Sequence, residues 1–445
     1  MTDNKYRVPR VIITNMFFWV LALCLCTFLR ISLLLVYPLV AVAFIFYFRL
    51  KIMPVLLVLL VMIGAGWLLS FFNGWYPLYN MLSFYYMLPF LLLFFSVPVG
   101  PQYAKYDLVK LFLKILTWVA LINDLIGFWQ YFSKPDSDDN FRGIYGSFTI
   151  SFNGLVIVNS IIAFYYFSLY IMDKRNKNLV AFLFFLLSSI MGFFGAGLLV
   201  FIISFILTFL RFHLLKFIKT LLIAAAVLVV AYYSLLLIRP KVLNYNKNNV
   251  AKILSFDVEN GPRKIIVFYN YFISYPAHIK DFLFGSGPGT FNSRSAFMVG
   301  SPSYLTSAGF IKSTRQPYYF KNYAYTLWND TNTSQALFQD GFRNQPFSSL
   351  LSFLGEYGLL FTLIFMGGYI TYFRRVRKIP RWKKNPLSYS YGLLFKFLSV
   401  FLLLLLLIDN MLEYPEIILL IVVIMKLLHI ELLNQEKNGA QTVIQ

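Results

Sequence analysis

The chain has 445 residues, of which 59% are hydrophobic and only 13% charged, with a formal net charge of +21. So apolar a composition, with mean hydropathy +0.69, excludes an ordinary soluble globular protein. The charge does not point to nucleic acid, because most basic residues stand in short clusters between apolar runs, as the positive-inside rule expects of a membrane protein.

In chain order, apolar runs near 11–29, 31–48, 53–72, 81–99, 110–132, 148–172, 179–194, 196–211, 214–238, 347–373, 391–409 and 412–430 predict an all-α polytopic membrane protein of about 12 transmembrane helices. Lys5, Arg7 and Arg10 precede the first run, which is longer than a signal-peptide core and is followed by no small-residue cleavage site. It is expected to be a retained signal anchor with its N-terminus in the cytoplasm. Cys24 and Cys26 lie in this run, two residues apart and so on different helix faces, which suits packing rather than a disulfide or a metal.

Counted from an inner start, the even-numbered connections carry the basic clusters: Arg49 and Lys51, Lys105 and Lys110, Lys174 to Lys177, Arg211 to Lys219, and Arg374 to Lys384. The alternate connections are poor in Lys and Arg or are acidic, with Asp136, Asp138 and Asp139 after the fifth run and Asp409, Glu413 and Glu416 around the last hairpin. Both termini are therefore expected in the cytoplasm. Residues 179–211 are short for two spans, yet basic clusters on both sides require an even number of crossings. Two short helices or a re-entrant pair, broken at Gly192–Gly197, fit that constraint.

This divides the chain into an N-terminal bundle of about nine helices (1–238), one large extracytoplasmic loop between helices 9 and 10 (239–346), and a C-terminal part with three helices and a cytoplasmic tail (347–445). No internal repeat relates the halves, which argues against an inverted-repeat transporter.

From Arg239 to Arg343 the loop carries twelve Lys and Arg against five acids, a net of +7. An anionic partner, such as a phosphate-bearing lipid-linked substrate, accounts for this. So does attraction to anionic headgroups, or plain solubility. Residues 263–275 read as an amphipathic helix with Arg263 and Lys264 at its start, suited to the interface plane. Gly285-Ser286-Gly287-Pro288-Gly289 permits either a tight structural turn or close approach of backbone to a ligand. No Gly-Lys-Ser/Thr follows, so it is not a P-loop.

The smaller external loop presents Arg142, which either binds an anion or pairs with Asp138 or Asp139. Asp124 and Glu356 fall inside apolar runs near the outer surface. Acids there default to functional candidates, with a structural ion partner as the alternative. The three histidines, His213, His278 and His429, form no metal-spaced cluster and no Ser-His-Asp pattern, so neither metal nor cofactor is expected.

Three stretches resemble the O-antigen ligase and polymerase superfamily of bacterial surface-polysaccharide assembly. Phe141-Arg142-Gly143 through Gly146-Ser147-Phe148 and Asn153 is similar to the family's Arg-x-x-Gly-x-Phe-x-x-x-Asn start of a membrane helix, with slightly altered spacing. Gly261-Pro262-Arg263, followed by Phe284-Gly285-Ser286-Gly287-Pro288-Gly289-Thr290-Phe291, resembles its central-loop Arg and Gly-x-Gly-x-x-Phe turn. The run from Ser348 to Leu360, with Gly355-Glu356-Tyr357-Gly358, resembles the helix after that loop. The resemblance implies a metal-independent glycosyltransferase that polymerises undecaprenyl-diphosphate-linked oligosaccharide repeat units into O-antigen or capsule at the outer face of the bacterial plasma (inner) membrane.

On this reading Arg142 and Arg263 bind the diphosphate and stabilise its departure. Lys264, Gly285 and Gly287 bind beside them, and Glu356, with Asp124 behind it, is the general base. Partners would be membrane lipids and possible flippase and chain-length regulator proteins, with no nucleic acid. Two departures stand out. Phe347-Ser348 occupies the place of the ligases' His-Asn pair, and an arginine often found near Gly195–Gly197 is absent. The missing histidine favours polymerase over ligase. Ligase-type transfer to a lipid or protein acceptor, or a flippase for the same lipid-linked unit, are the alternatives.

Overall fold

The computed structural model describes residues 7–100, 107–133, 141–145, 151–192, 194–209, 262–304, 311–329, 345–379 and 386–441, with scattered positions between 229 and 255 and Thr331. The expected helix at 214–238 lies almost wholly outside the described residues.

Eight helices open the bundle: α1 (Arg7–Cys26), α2 (Arg30–Tyr47), α3 (Pro54–Phe72), α4 (Pro77–Phe94), α5 (Leu108–Ser133), α6 (Ser151–Asp173), α7 (Asn176–Met191) and α8 (Gly195–Phe209). Proline at the first position starts α3 and α4, where its missing N–H costs no intrahelical bond. Two three-residue strands, β1 (Leu50–Ile52) and β2 (Ser96–Pro98), pair antiparallel and tie the end of α2 to the end of α4. The expected break at Gly192 is present, and α7 and α8 are separate short helices, α7 laid along α6.

Three short helices follow, α9 (Arg263–Ser274), α10 (Ile279–Phe284) and α11 (Arg294–Gly300), and then α12 (Gly358–Arg377), α13 (Pro386–Ile408) and α14 (Pro415–Gln441). Helix α9 matches the expected amphipathic segment to within a residue. The continuous helix expected from 347 is interrupted instead: a helical turn at Ser349–Ser352 passes into a π-helical turn at Phe353–Tyr357, and Gly358 has φ +88°. The Leu283 carbonyl presses against Gly358, so the straight course is occupied by another part of the chain.

Among the described residues, seven helical segments are long and apolar enough to cross a membrane: α2 to α5, the 153–173 part of α6, Ser349–Arg377 and α13. The chain is an all-α polytopic membrane protein. Helix α14 differs from these seven in placement. Every residue from Pro415 to Leu432 is buried, and it touches α1, α2, α4, α5, α6 and α13. An apolar circumference suits a helix enclosed on all sides. Its one cation at mid-length, Lys426, donates to the Phe94 carbonyl at 2.5 Å and sits 3.8 Å over the Tyr372 ring.

Candidate functional site

The sequence candidates gather at one end of the bundle, the end that carries α9 to α11. Two groups of side chains meet there.

The first group is built on α5. Asn123 accepts from the Ile144 N–H at 2.6 Å, and Gln130 accepts from the Arg142 and Gly143 N–H groups at 3.3 and 2.8 Å. These amides pin the Arg142 segment over α5. Arg142 itself is half-buried. Asp138 and Asp139, its alternative partners, lie outside the described residues. Asp124 is the next residue along α5, fully buried, and accepts from Asn159 of α6 at 2.9 Å. The Phe28 N–H, in the turn between α1 and α2, donates to the Ile144 carbonyl at 3.0 Å. That turn brings in Arg30, which is 4% exposed and lies 5.4 Å over the Tyr145 ring.

The second group is built around Glu356. Its carboxylate accepts from the backbone N–H groups of Gly289 (2.6 Å), Phe291 (3.2 Å) and Ser293 (3.0 Å). The Gly355 and Glu356 carbonyls accept from the Ser286 and Gly287 N–H groups at 2.9 and 3.1 Å. The glycine turn is thus wedged between membrane helices. Gly285 has φ +85°, and a methyl there would meet the Glu356 carbonyl at 2.3 Å. Gly287 has φ +112°, and a methyl there would meet the Ser70 side chain of α3 at 2.4 Å. Asn80 of α4 donates to the Pro288 carbonyl at 3.4 Å. Irregular backbone at this depth must be enclosed and hydrogen-bonded by protein. Every residue from Gly285 to Ala296 is buried.

A second glutamate continues the row. Glu413, in the hairpin between α13 and α14, accepts from the Arg294 and Ser295 N–H groups and the Ser295 hydroxyl, the Ser295 amide at 3.0 Å. It therefore caps the first turn of α11, where a negative charge also suits the helix dipole. Arg294 is 4% exposed, donates to the Tyr304 hydroxyl at 2.9 Å and the Glu413 carbonyl at 3.3 Å, and stacks 4.6 Å from the Tyr414 ring. Ser83, Ser293, Ser349, Ser352 and the two glutamates border a small cavity with room for about one water.

Arg263 opens α9 and is fully buried, while Lys264 is half-buried and faces Asp409 of the hairpin electrostatically. Burial lowers the affinity of Lys264 for its proton, and the Asp409 charge opposes that. Asp409 is raised above the usual carboxylate range by burial, against the pull of Lys264, the Asn410 N–H and Arg294. A carboxyl raised in the fold contributes stability below its unfolded pKa of about 4, which is lost as pH rises through the folded value. Asp409→Asn should therefore gain on wild type in unfolding temperature as pH rises from about 4 toward neutral. A constant difference across that range would mean that Asp409 does not titrate there.

The two groups are joined through Arg30 and Arg294, which share the electrostatic surroundings of Glu416 and Tyr414. The structure thus brings Arg142, Asp124, Arg263, Lys264, Gly285, Gly287 and Glu356 to one end of the bundle. It also commits the glycine-turn amides and the Glu356 carboxylate to each other. Sequence reasoning passed over Arg30, Arg294 and Glu413. Arg30 did carry a signal, since a cation in a connection expected outside runs against the positive-inside rule. Three acids in the short hairpin at 409–416 were another. Neither a family model nor a curated protein matches the chain.

Proposed function

We propose that the protein is a membrane glycosyltransferase that polymerises undecaprenyl-diphosphate-linked oligosaccharide repeat units into surface polysaccharide. Its setting is the bacterial plasma membrane, with about twelve spans, both termini cytoplasmic and the 239–346 loop outside. The observation that supports this reading is the convergence of the three resembling stretches, remote in sequence, at one end of the bundle. Buried or half-buried cations stand there beside carboxylates and aromatic rings.

In the reaction, an acceptor hydroxyl attacks the anomeric carbon of the donor sugar. The new C–O bond forms as the sugar–phosphate C–O bond breaks, the diphosphate departs with the electron pair, and the proton of the acceptor hydroxyl passes to an oxygen of the departing diphosphate. Arg142 and Arg263 bind that diphosphate as planar donors and stabilise the charge it gains. Glu356 acts in this reading as a positioning residue, because three backbone donors already hold its carboxylate. No step calls for a metal. Among the described residues no group of three His, Cys, Asp or Glu side chains could hold one.

The test is complementation of cells lacking the gene, read as repeat-length ladders of surface glycan. Arg142→Ala and Arg263→Ala should each lower polymer by roughly a hundred-fold with the protein still present in the membrane. Arg→Lys should rescue poorly, since lysine lacks the fork. Normal long chains in the knockout would overturn polymerisation. Polymerised but unattached chains would mean ligase. Normal ladders from both alanine variants would remove these arginines from the site.

A further inference from the structure

Helix α9 is apolar on two opposite sides. Val267, Tyr271 and Tyr275, spaced by four, are buried against Phe291, Leu351 and Leu354. The other side carries Ile265, Tyr269, Phe272 and Ile273, spaced i, i+4, i+7, i+8, and these are exposed by 37, 48, 56 and 62%. A helix in water with this second stripe would leave a row of large apolar side chains uncovered.

The stripe does not stand alone. Helix α10 continues it with Ile279 and Phe284, exposed by 63 and 40%, and packs on α3 and α12. Its polar side faces Asn73 at the end of α3, which bonds Asp281 at 3.3 Å and Lys280 at 3.5 Å. Its far end reaches lower, where the Phe284 carbonyl lies against Gly66. Gly66 is six residues below Phe72, so α10 descends on the order of 9 Å along α3. Beside it α3 exposes Leu68, Phe71 and Phe72, which belong to the apolar outside of a membrane-spanning helix, and the turn after α3 exposes Trp75.

From this continuity we infer that α9 and α10 are immersed in the bilayer, with the Ile265–Ile273 stripe, Ile279 and Phe284 covered by acyl chains of the adjacent leaflet. Lys280 and Asn73 then mark the headgroup level. Lys264, half-buried at the start of α9, comes to lie at the edge of the same leaflet, where a lipid-borne anion would meet it without leaving the membrane. This inference concerns the surface and holds whether or not the protein is a polymerase.

The experiment uses the full chain in a Cys24→Ala, Cys26→Ala background, reconstituted into nanodiscs of phosphatidylcholine with plain or brominated acyl chains. Single variants Phe272→Cys, Ile273→Cys and Ile279→Cys carry a bimane label, with Leu57→Cys on the exposed face of α3 as the reference. Bromination should quench the three loop-helix positions by at least roughly half of its effect at Leu57. Three positions guard against one variant failing to fold, and size-exclusion behaviour identifies those that do fold. Quenching at Leu57 with none at the other three would overturn the inference. So would two copies per disc with the stripe positions unquenched, which would make the stripe an interface between copies.

Discussion

Glu356→Ala should unfold the loop from the bundle. The substitution takes the acceptor from three buried N–H groups, those of Gly289, Phe291 and Ser293. A buried donor left without an acceptor costs about 1–3 kcal/mol, so the expected loss for three is roughly 3–9 kcal/mol. That is a large share of the stability of most domains. Glutamine should rescue only in part, because its carbonyl oxygen can keep the Phe291 and Ser293 donors while its NH2 group faces the Gly289 N–H. The measurements are the unfolding temperature in detergent and protease cleavage within 262–304. Both should change sharply, and polymer formation should fall with them. A variant that melts like wild type and yet makes no polymer would put the carboxylate back into the chemistry.

Gly285→Ala should be nearly as severe, for a steric reason. At φ +85° an L side chain is strained, and the added methyl would sit 2.3 Å from the Glu356 carbonyl oxygen and 2.6 Å from the Tyr357 nitrogen. These are backbone atoms of the π-helical turn and cannot rotate aside as a flexible side chain could. Relief requires moving α10 away from α12, which breaks the Ser286 and Gly287 hydrogen bonds to that turn. The expected cost is at least about 3 kcal/mol. Gly64→Ala and Gly367→Ala are the controls. A methyl at either meets nothing within 4 Å, both lie inside helices, and both should be neutral or stabilise by up to about 1 kcal/mol. Equal melting of Gly285→Ala and the controls would show that the turn is not held where the structure has it.

The parts of the fold legible in the sequence are those governed by one segment's own pattern. The apolar runs correspond to α2 to α6 and α13, the Gly192 break separates α7 from α8, and the periodicity from Arg263 marks α9. What was not legible depends on a second segment. Strands β1 and β2 are three residues each, too short to show an alternation, and they exist because distant ends meet. The apolar run from 412 reads like any other span, and nothing within it says that α14 is enclosed by six neighbours. The glycine turn admitted both a structural and a ligand-binding reading. The choice depended on whether its amides had acceptors, and those acceptors, the Gly355 and Glu356 carbonyls and the Glu356 carboxylate, are some 70 residues further along the chain. Glu356 was identified as a buried acid of consequence. Its three amide contacts could not be read from residues 347–373 alone.

The enclosure of α14 also bears on how the protein is made. Of the described helices it is the latest to leave the ribosome, and it fills the centre of a ring whose other members, α1, α2, α4, α5, α6 and α13, are synthesised earlier. Those six cannot close on one another beforehand without excluding it. During biogenesis they must wait as a loose assembly in the membrane, their inward faces against lipid or the insertion machinery. Commitment to the final packing comes only when the segment from Pro415 to Leu432 arrives. Ribosome-stalled intermediates that stop short of Pro415 should therefore be degraded or held by the insertase, whatever the quality of the helices already made.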